Sequence, residues 1–247
     1  MKIIINPEYQ RFKDFITSLP ERFSKEGEVI YKQRNEIRVF EENGERLNVK
    51  RYRKPIFLNR IVYRFFRQPK ALRAYNNALI INEKKINTPE PIAYIIMYRV
   101  GLMCESYFVS KQVTYRRNMY EFGKGGIAGR EYILKAFAFF TAKLHQSGIY
   151  HRDYSPGNIL FDDENGKVQF CLVDINRMEF GEVSIEKGCK NFARLWGQKP
   201  MFEYIAKVYA EARNADIQYC TEKILQAREQ FWKRYLRRHE QPFITED

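Results

Sequence analysis

Apolar and polar residues alternate along three short runs between Glu28 and Arg53: EVIYKQ, EIRVFEE and RLNVKRY. A period of two marks strands, and Glu42-Asn43-Gly44 between the second and third run predicts a hairpin. The period then lengthens. Over 69–85, PKALRAYNNALIINEKK sets Leu72, Tyr75, Leu79 and Ile80 at helical spacing, with Pro69 placed for a first turn. NTPEP ends that helix, and IAYIIMYRV and ESYFVSKQV follow as β-rich runs joined by a turn around Gly101. The first 113 residues therefore read as a strand meander interrupted by one helix.

From there the pattern becomes helical. REYILKAFAFFTAKLHQSG, 130–148, is a strongly apolar helix closed by Gly148. KVQFCLVDINRMEF reads as a strand pair with VQFCLVD as its buried arm. KNFARLW, MFEYIAKVYAEA and YCTEKILQAREQFWKRYLRR return to helical spacing. The expected architecture is α+β and two-lobed: a small, antiparallel, β-rich lobe with one main helix over 1–113, and a larger, mostly helical lobe over 114–247.

Charge adds a constraint on partners. The 247 residues carry 43 Lys and Arg against 30 Asp and Glu, a net charge of +13, which favours polyanionic partners. Basic residues recur in KRYRKP, NRIVYRFFRQPKALR, TYRRN and WKRYLRRHE. The four cysteines form no CxxC pair, so neither a disulfide framework nor a zinc site is expected. MKIIINP is too short in apolar residues for a signal-peptide core, and no run approaches a membrane span. A cytoplasmic protein is expected, docking at most on a membrane surface.

Between two apolar runs lies IYHRDYSPGNILF, 149–161. Transfer of the γ-phosphoryl group of ATP needs a carboxylate to orient the attacking hydroxyl and oxygen ligands to hold a metal ion on the phosphates. Asp153 and Asn158 suit those two roles, and Gly157 suits a tight turn between them. Asp174 in CLVDINR, after a β-rich run, suits a second Mg²⁺ ligand. Lys50, on the strand LNVKRY, suits the α- and β-phosphates. Each alone means little: Lys50 has basic neighbours, and His151 suits a packed core position. Their order and flanking structure carry the argument.

These motifs resemble the protein-kinase-like superfamily, and within it the lipopolysaccharide kinase family, the Kdo and heptose kinases of the bacterial inner core. DINR stands where protein kinases have Asp-Phe-Gly, no Ala-Pro-Glu motif follows, and INTPEPIAY is similar to the family's Pro-x-Pro stretch before a strand. The likeness runs over about residues 28–180. It implies ATP and Mg²⁺ as cofactors and an anionic sugar or glycolipid as acceptor. Peripheral contact with the cytoplasmic face of the inner membrane would explain the basic surface, and no nucleic acid is expected.

The chain departs from the family's relatives in two places. YKQRNEIRV has no glycine where a phosphate-covering loop is expected, leaving Lys32, Gln33, Arg34 and Asn35 to cover phosphates. The helix glutamate that would pair with Lys50 is replaced by AYNN, with Glu83 as the substitute. Arg152 is expected to form a local ion pair, and Arg177 to hold an anionic substrate or orient Asp174. The rival readings are a small-molecule phosphotransferase similar to the aminoglycoside enzymes, an atypical protein kinase, and a pseudokinase scaffold.

Overall fold

A computed structural model describes residues 1–52 and 68–240. The basic stretch from Arg53 to Arg67 lies outside them. The described residues divide into two compact units, Met1–Thr114 and Tyr115–Asp247.

The first unit is built on a six-stranded antiparallel sheet in the order β1-β5-β6-β4-β3-β2. Its strands are β1 (Lys2–Ile5), β2 (Glu28–Lys32), β3 (Glu36–Glu42), β4 (Glu45–Tyr52), β5 (Pro91–Arg99) and β6 (Leu102–Lys111). Strand alternation sends Leu47 and Val49 to one face and Lys50 and Tyr52 to the other. Against the first face packs an element that the periodicity left unmarked, a 3-10 segment (Pro7–Phe12) running into α1 (Lys13–Arg22). Tyr9, Phe12, Phe15, Ile16, Leu19 and Phe23 bury a continuous apolar layer there against Phe40, Leu47, Val49, Ile95, Tyr107 and Val109. Pro20 inside α1 and its charged neighbours hide this stripe from a reading by propensity. On the Lys50 side, α2 (Lys70–Glu83) buries Ala71, Ala74, Tyr75, Ala78 and Ile81, and the Tyr75 ring meets Tyr94 edge-on at 5.3 Å.

Phe23 also anchors charge. The guanidinium groups of Arg38 and Arg51 lie 5.3 and 4.6 Å from its ring and clamp the buried carboxylate of Glu36, at 2.7 and 2.5 Å. Burial alone would raise the Glu36 pKa, but the two arginine hydrogen bonds outweigh it and hold the group below the usual carboxylate range. Arg51, within the basic run around Lys50, is therefore structural.

The second unit carries a three-stranded sheet, β10-β9-β7, and a two-stranded one, β11-β8. Its strands are β7 (Arg117–Asn118), β8 (Ile149–His151), β9 (Ile159–Glu164), β10 (Lys167–Leu172) and β11 (Met178–Phe180). Its helices are α3 (Glu131–Gln146), α4 (Ile185–Asn191), α5 (Lys199–Ala212) and α6 (Ile217–Tyr235). Gly148 closes α3 at φ +71°, where an added Cβ would stand 2.9 Å from the Gly181 carbonyl, so the expected glycine cap is required twice over. The expected strand pair over 167–180 is corrected. β10 pairs with β9 through an Asn165-Gly166 turn, and β11 pairs instead with β8. Helix α6 starts on an Asp216 cap whose carboxylate accepts from Tyr219 N at 2.6 Å.

Three hairpins turn through two residues at positive φ: Asn43-Gly44, Asn165-Gly166 and Val100-Gly101. Asparagine and glycine tolerate that conformation, whereas β-branched Val100, at φ +51° and 93% exposed, does not. Val100→Asn should therefore raise stability by about 1 kcal/mol, measured as a higher urea midpoint at an unchanged slope. An unchanged or lower midpoint would show that the turn is not strained.

Candidate active site

The site in the second unit begins with two strand ends. β8 finishes at His151, and the β9–β10 hairpin sets Ile159 opposite Leu172, so that Asn158 and Val173 meet at its open end, with Val173 N donating to Asn158 O at 3.0 Å. Arg152 N donates to Arg177 O at 3.0 Å and joins the catalytic-type loop to the turn after Asp174. Backbone pairing thus brings 153, 158 and 174–177 to one place.

His151 ties that place together. Its ring is fully buried, with Nε2 at 3.1 Å from Val173 O and Nδ1 at 3.1 Å from Asp153 N. Those partners require Nε2 to donate and Nδ1 to accept, which defines one neutral tautomer. Burial pushes the imidazole pKa down, in keeping with that neutral form. The core role expected for His151 is what the ring performs.

Asn158 Nδ2 donates to Asp153 O at 2.9 Å. Its amide is therefore oriented with Oδ1 as the remaining acceptor. Asp174 sits in the left-handed region at φ +53° and ψ +42°, a local strain held by its surroundings. Its Oδ1 accepts from Asn176 Nδ2 at 2.5 Å. Asn176, itself buried, went unassigned in the sequence although DINR contains it; its spacing of two from Asp174 was the available signal.

Gly157 differs from expectation in its reason. Its φ is not in the left-handed region; instead, a Cβ there would stand 2.7 Å from the Tyr120 ring, which packs edge-on against Trp196 at 4.3 Å. Close approach, not turn geometry, demands glycine. Arg152 makes the expected local ion pair, Nε to Glu179 Oε1 at 3.2 Å. The Arg177 guanidinium, expected to hold an anionic substrate or orient Asp174, lies 3.6 Å from Asp153 Oδ2. A second arginine, Arg194, approaches Asp153 Oδ1 at 2.5 Å from the turn after α4. Nothing in the spacing of Arg194, 41 residues on, marked it.

The remaining expected residues belong to the first unit. Lys50 is half-buried in the middle of β4, in register with Ile37 and Phe108, its Nζ 5.4 Å from the Tyr52 ring centre. Lys32 ends β2 and Arg34 lies in the following bend, both exposed. Glu83 is exposed at the last position of α2 and makes no ion pair with Lys50, so it is not the substitute expected.

Oxygen donors suit a hard cation, and Mg²⁺ beside a nucleotide takes only one or two protein carboxylates, with phosphates and water supplying the rest. Asn158 and Asp174 fit that limited demand. Among the described residues no cluster of three or more His, Cys, Asp or Glu is arranged to hold a metal alone.

Behind the loop runs a second buried chain of polar groups. Arg213 donates to Tyr209 Oη at 2.8 Å, Tyr209 Oη lies 2.9 Å from His145 Nδ1, and His145 Nε2 lies 3.0 Å from Asn191 Oδ1. Asn191 Nδ2 then donates to His151 O at 2.9 Å. Gly188 leaves room for it, since a Cβ there would fall 2.0 Å from the Tyr209 hydroxyl.

Residues 19–203 match the Lipopolysaccharide kinase (Kdo/WaaP) family, three quarters of the chain, and the protein belongs to that family. A curated relative is the 3-deoxy-D-manno-octulosonic acid kinase of Stenotrophomonas maltophilia (strain K279a), 27% identical over 142 residues. That match covers 55% of this chain and 54% of the relative, so the chain spans about half the length of the curated relative it matches. Among solved structures, WaaP in complex with acyl carrier protein superposes with a TM-score of 0.65 at 12% identity, covering 97% of this chain and all of that one. The protein-kinase-like fold expected from the motifs is thereby established.

Burial, and to a lesser degree the nearby Arg213 charge, pushes the His145 pKa down from 6.5 to about 4. The unfolded chain takes up a proton as pH falls through 6.5 while the folded chain does not, so this contribution is intact above pH 6.5 and is lost between 6.5 and 4. It amounts to about 3 kcal/mol. Urea melts at pH 7.5 and 4.5 should show the parent losing that much more stability than His145→Gln; equal losses would show that His145 does not titrate in this way.

Proposed function

We propose that the protein transfers the γ-phosphoryl group of ATP to a hydroxyl of an inner-core sugar of lipopolysaccharide. The supporting observation is the convergence of Asp153, Asn158 and Asp174 on the buried His151 scaffold in a chain of the lipopolysaccharide kinase family. The relative from Stenotrophomonas, a kinase of an octulosonic acid by its name, favours that sugar acid over heptose as acceptor. Residues 1–113 and 114–247 would act as the two lobes of one catalytic domain.

Each side chain has a distinct task. Asp153 accepts and orients the acceptor hydroxyl, and its carboxylate takes the proton as the oxygen attacks. Asn158 Oδ1 and Asp174 hold Mg²⁺, which supplies charge neutralisation on the phosphates when bound. Lys50 holds the α- and β-phosphates, and Lys32 and Arg34 cover them in place of a glycine-rich loop. Arg177 and Arg194 aim Asp153, by placing cations 3.6 and 2.5 Å from its two oxygens. Catalysis on this scheme is mainly positioning and electrostatics. A basic surface suits an enzyme that meets its anionic glycolipid at the cytoplasmic face of the inner membrane, by peripheral contact. No helix among the described residues is long and apolar enough to cross a membrane.

Asp153→Asn should lower kcat by about 10³-fold while the KM for ATP stays within about threefold, because the amide keeps the shape but cannot take the proton. Asp174→Ala should abolish Mg²⁺-dependent ATP use. Radiolabel transfer to lipid A bearing octulosonic acid, aminoglycosides and peptides measures both variants and the acceptor class together. Full activity in either variant, or transfer to a peptide alone, would remove this assignment. Mg²⁺-independent nucleotide binding with no transfer would identify a scaffold.

A further inference from the structure

Beside the catalytic loop, within the second unit, lies a cavity of about 480 Å³ walled by the end of β8, by α4 and the turn after it, and by α6. Arg152, Lys190, Arg194, Lys223 and Arg234 line it, against the single carboxylate of Glu186. Five like charges around one concavity repel one another and make its centre strongly positive. Internal pairing relieves only part of that repulsion. Arg152 is engaged by Glu179 at 3.2 Å, Lys190 by Glu186 at 2.7 Å, and Arg194 by Asp153. Among the described residues, neither Lys223 nor Arg234, three helical turns apart on α6, has a carboxylate within ion-pair distance.

A solvated basic surface would be convex and without apolar walls. Here Phe231 forms part of the wall, with the Arg194 guanidinium 5.2 Å from its ring centre, while Gln226 and Gln230 add neutral amides suited to hydroxyl groups. Arg194 is the link to the chemistry. It lines the cavity and also touches Asp153 Oδ1, so a molecule whose reacting hydroxyl rests on Asp153 lies beside the cavity's Arg194 wall.

We infer that this cavity is the subsite for the anionic group of the acceptor, a sugar carboxylate or a phosphate on the same glycolipid, held by Arg194 and Arg234, while Lys223, about 16 Å away along α6, adds to the attracting charge. The inference rests on the acceptor reading above and deepens it by assigning acceptor specificity to α6. Charge-assisted contacts to a carboxylate or phosphate fix its orientation, and a planar guanidinium can engage two of its oxygens at once. Arg194 would then divide its donors between the acceptor's anion and Asp153, coupling correct docking to the position of the base.

Calorimetric titration of the full chain with 3-deoxy-D-manno-octulosonic acid, its methyl ester and inorganic phosphate tests the subsite directly, on the parent and on Lys223→Gln/Arg234→Gln. The acid should bind the parent and bind the double variant at least tenfold more weakly. Loss of binding in the ester assigns the pocket to the sugar carboxylate; phosphate bound by the parent and lost in the variant assigns it to a phosphate of the glycolipid. Undiminished binding of the anions by the double variant, or no binding of either by the parent, overturns the inference. In phosphoryl transfer to lipid A bearing octulosonic acid, the variant's acceptor KM should rise at least tenfold with the ATP KM within about twofold, and Lys223→Arg should recover most of the loss from Lys223→Gln. A rise in the ATP KM alone would place the nucleotide, not the acceptor, against α6. If the parent transfers nothing to any sugar, the kinase reading fails on its own, and the titration still decides what the cavity binds.

Discussion

The second unit depends on one buried imidazole. His151 donates to Val173 O and accepts from Asp153 N, so a single ring joins the end of β8, the loop that follows and the exit of β10. Each bond contributes on the order of 1 kcal/mol, but losing the ring would leave both backbone groups without partners in a water-free place, which costs more than the bonds themselves. Charging the ring would replace its acceptor with a second donor and break the Asp153 contact. Burial keeps it neutral and thereby keeps the loop in one conformation.

Around that ring the polar groups form continuous chains. Asn191 receives from His145 and donates to the His151 carbonyl, and Asn158 donates to the Asp153 carbonyl. Satisfied networks of this kind rigidify a site because every partial rearrangement strands a donor or acceptor. Pre-positioning matters for phosphoryl transfer, where the protein supplies geometry and charge and little covalent chemistry. Glycine enters the design by subtraction: Gly157 makes room for Tyr120, and Gly188 for the Tyr209–His145 contact.

Charge is distributed with the same economy. Two arginines from distant segments converge on Asp153, while a third, Arg152, is turned away to Glu179. In the first unit Arg38 and Arg51 are spent on Glu36 and the Phe23 ring. The net charge of +13 is therefore not one uniform surface: some cations are structural, some flank Asp153, and Lys223 and Arg234 line the cavity beside α6.

How much of this was legible depends on sequence distance. The hairpin at Asn43-Gly44, the helix over 69–85, the helix closed by Gly148 and the loop from His151 to Asn158 are written in local patterns: period, turn chemistry, caps and a motif spaced within ten residues. Local sterics and hydrogen bonding bias such short stretches strongly enough for the chain alone to announce them and, through the loop motif and DINR, the family. Helix α1 was missed because Pro20 and a charged surround masked its stripe, and the β8–β11 pairing because strand partners are chosen by the whole fold. Arg177 and Arg194 show the same limit. Their approach to Asp153 depends on where the turn after Asp174 and the turn after α4 come to rest, 24 and 41 residues along the chain. Local pattern marked most of the elements and the loop motif; which arginines meet the aspartate was left to packing, because long-range electrostatic partnership carries no local signal.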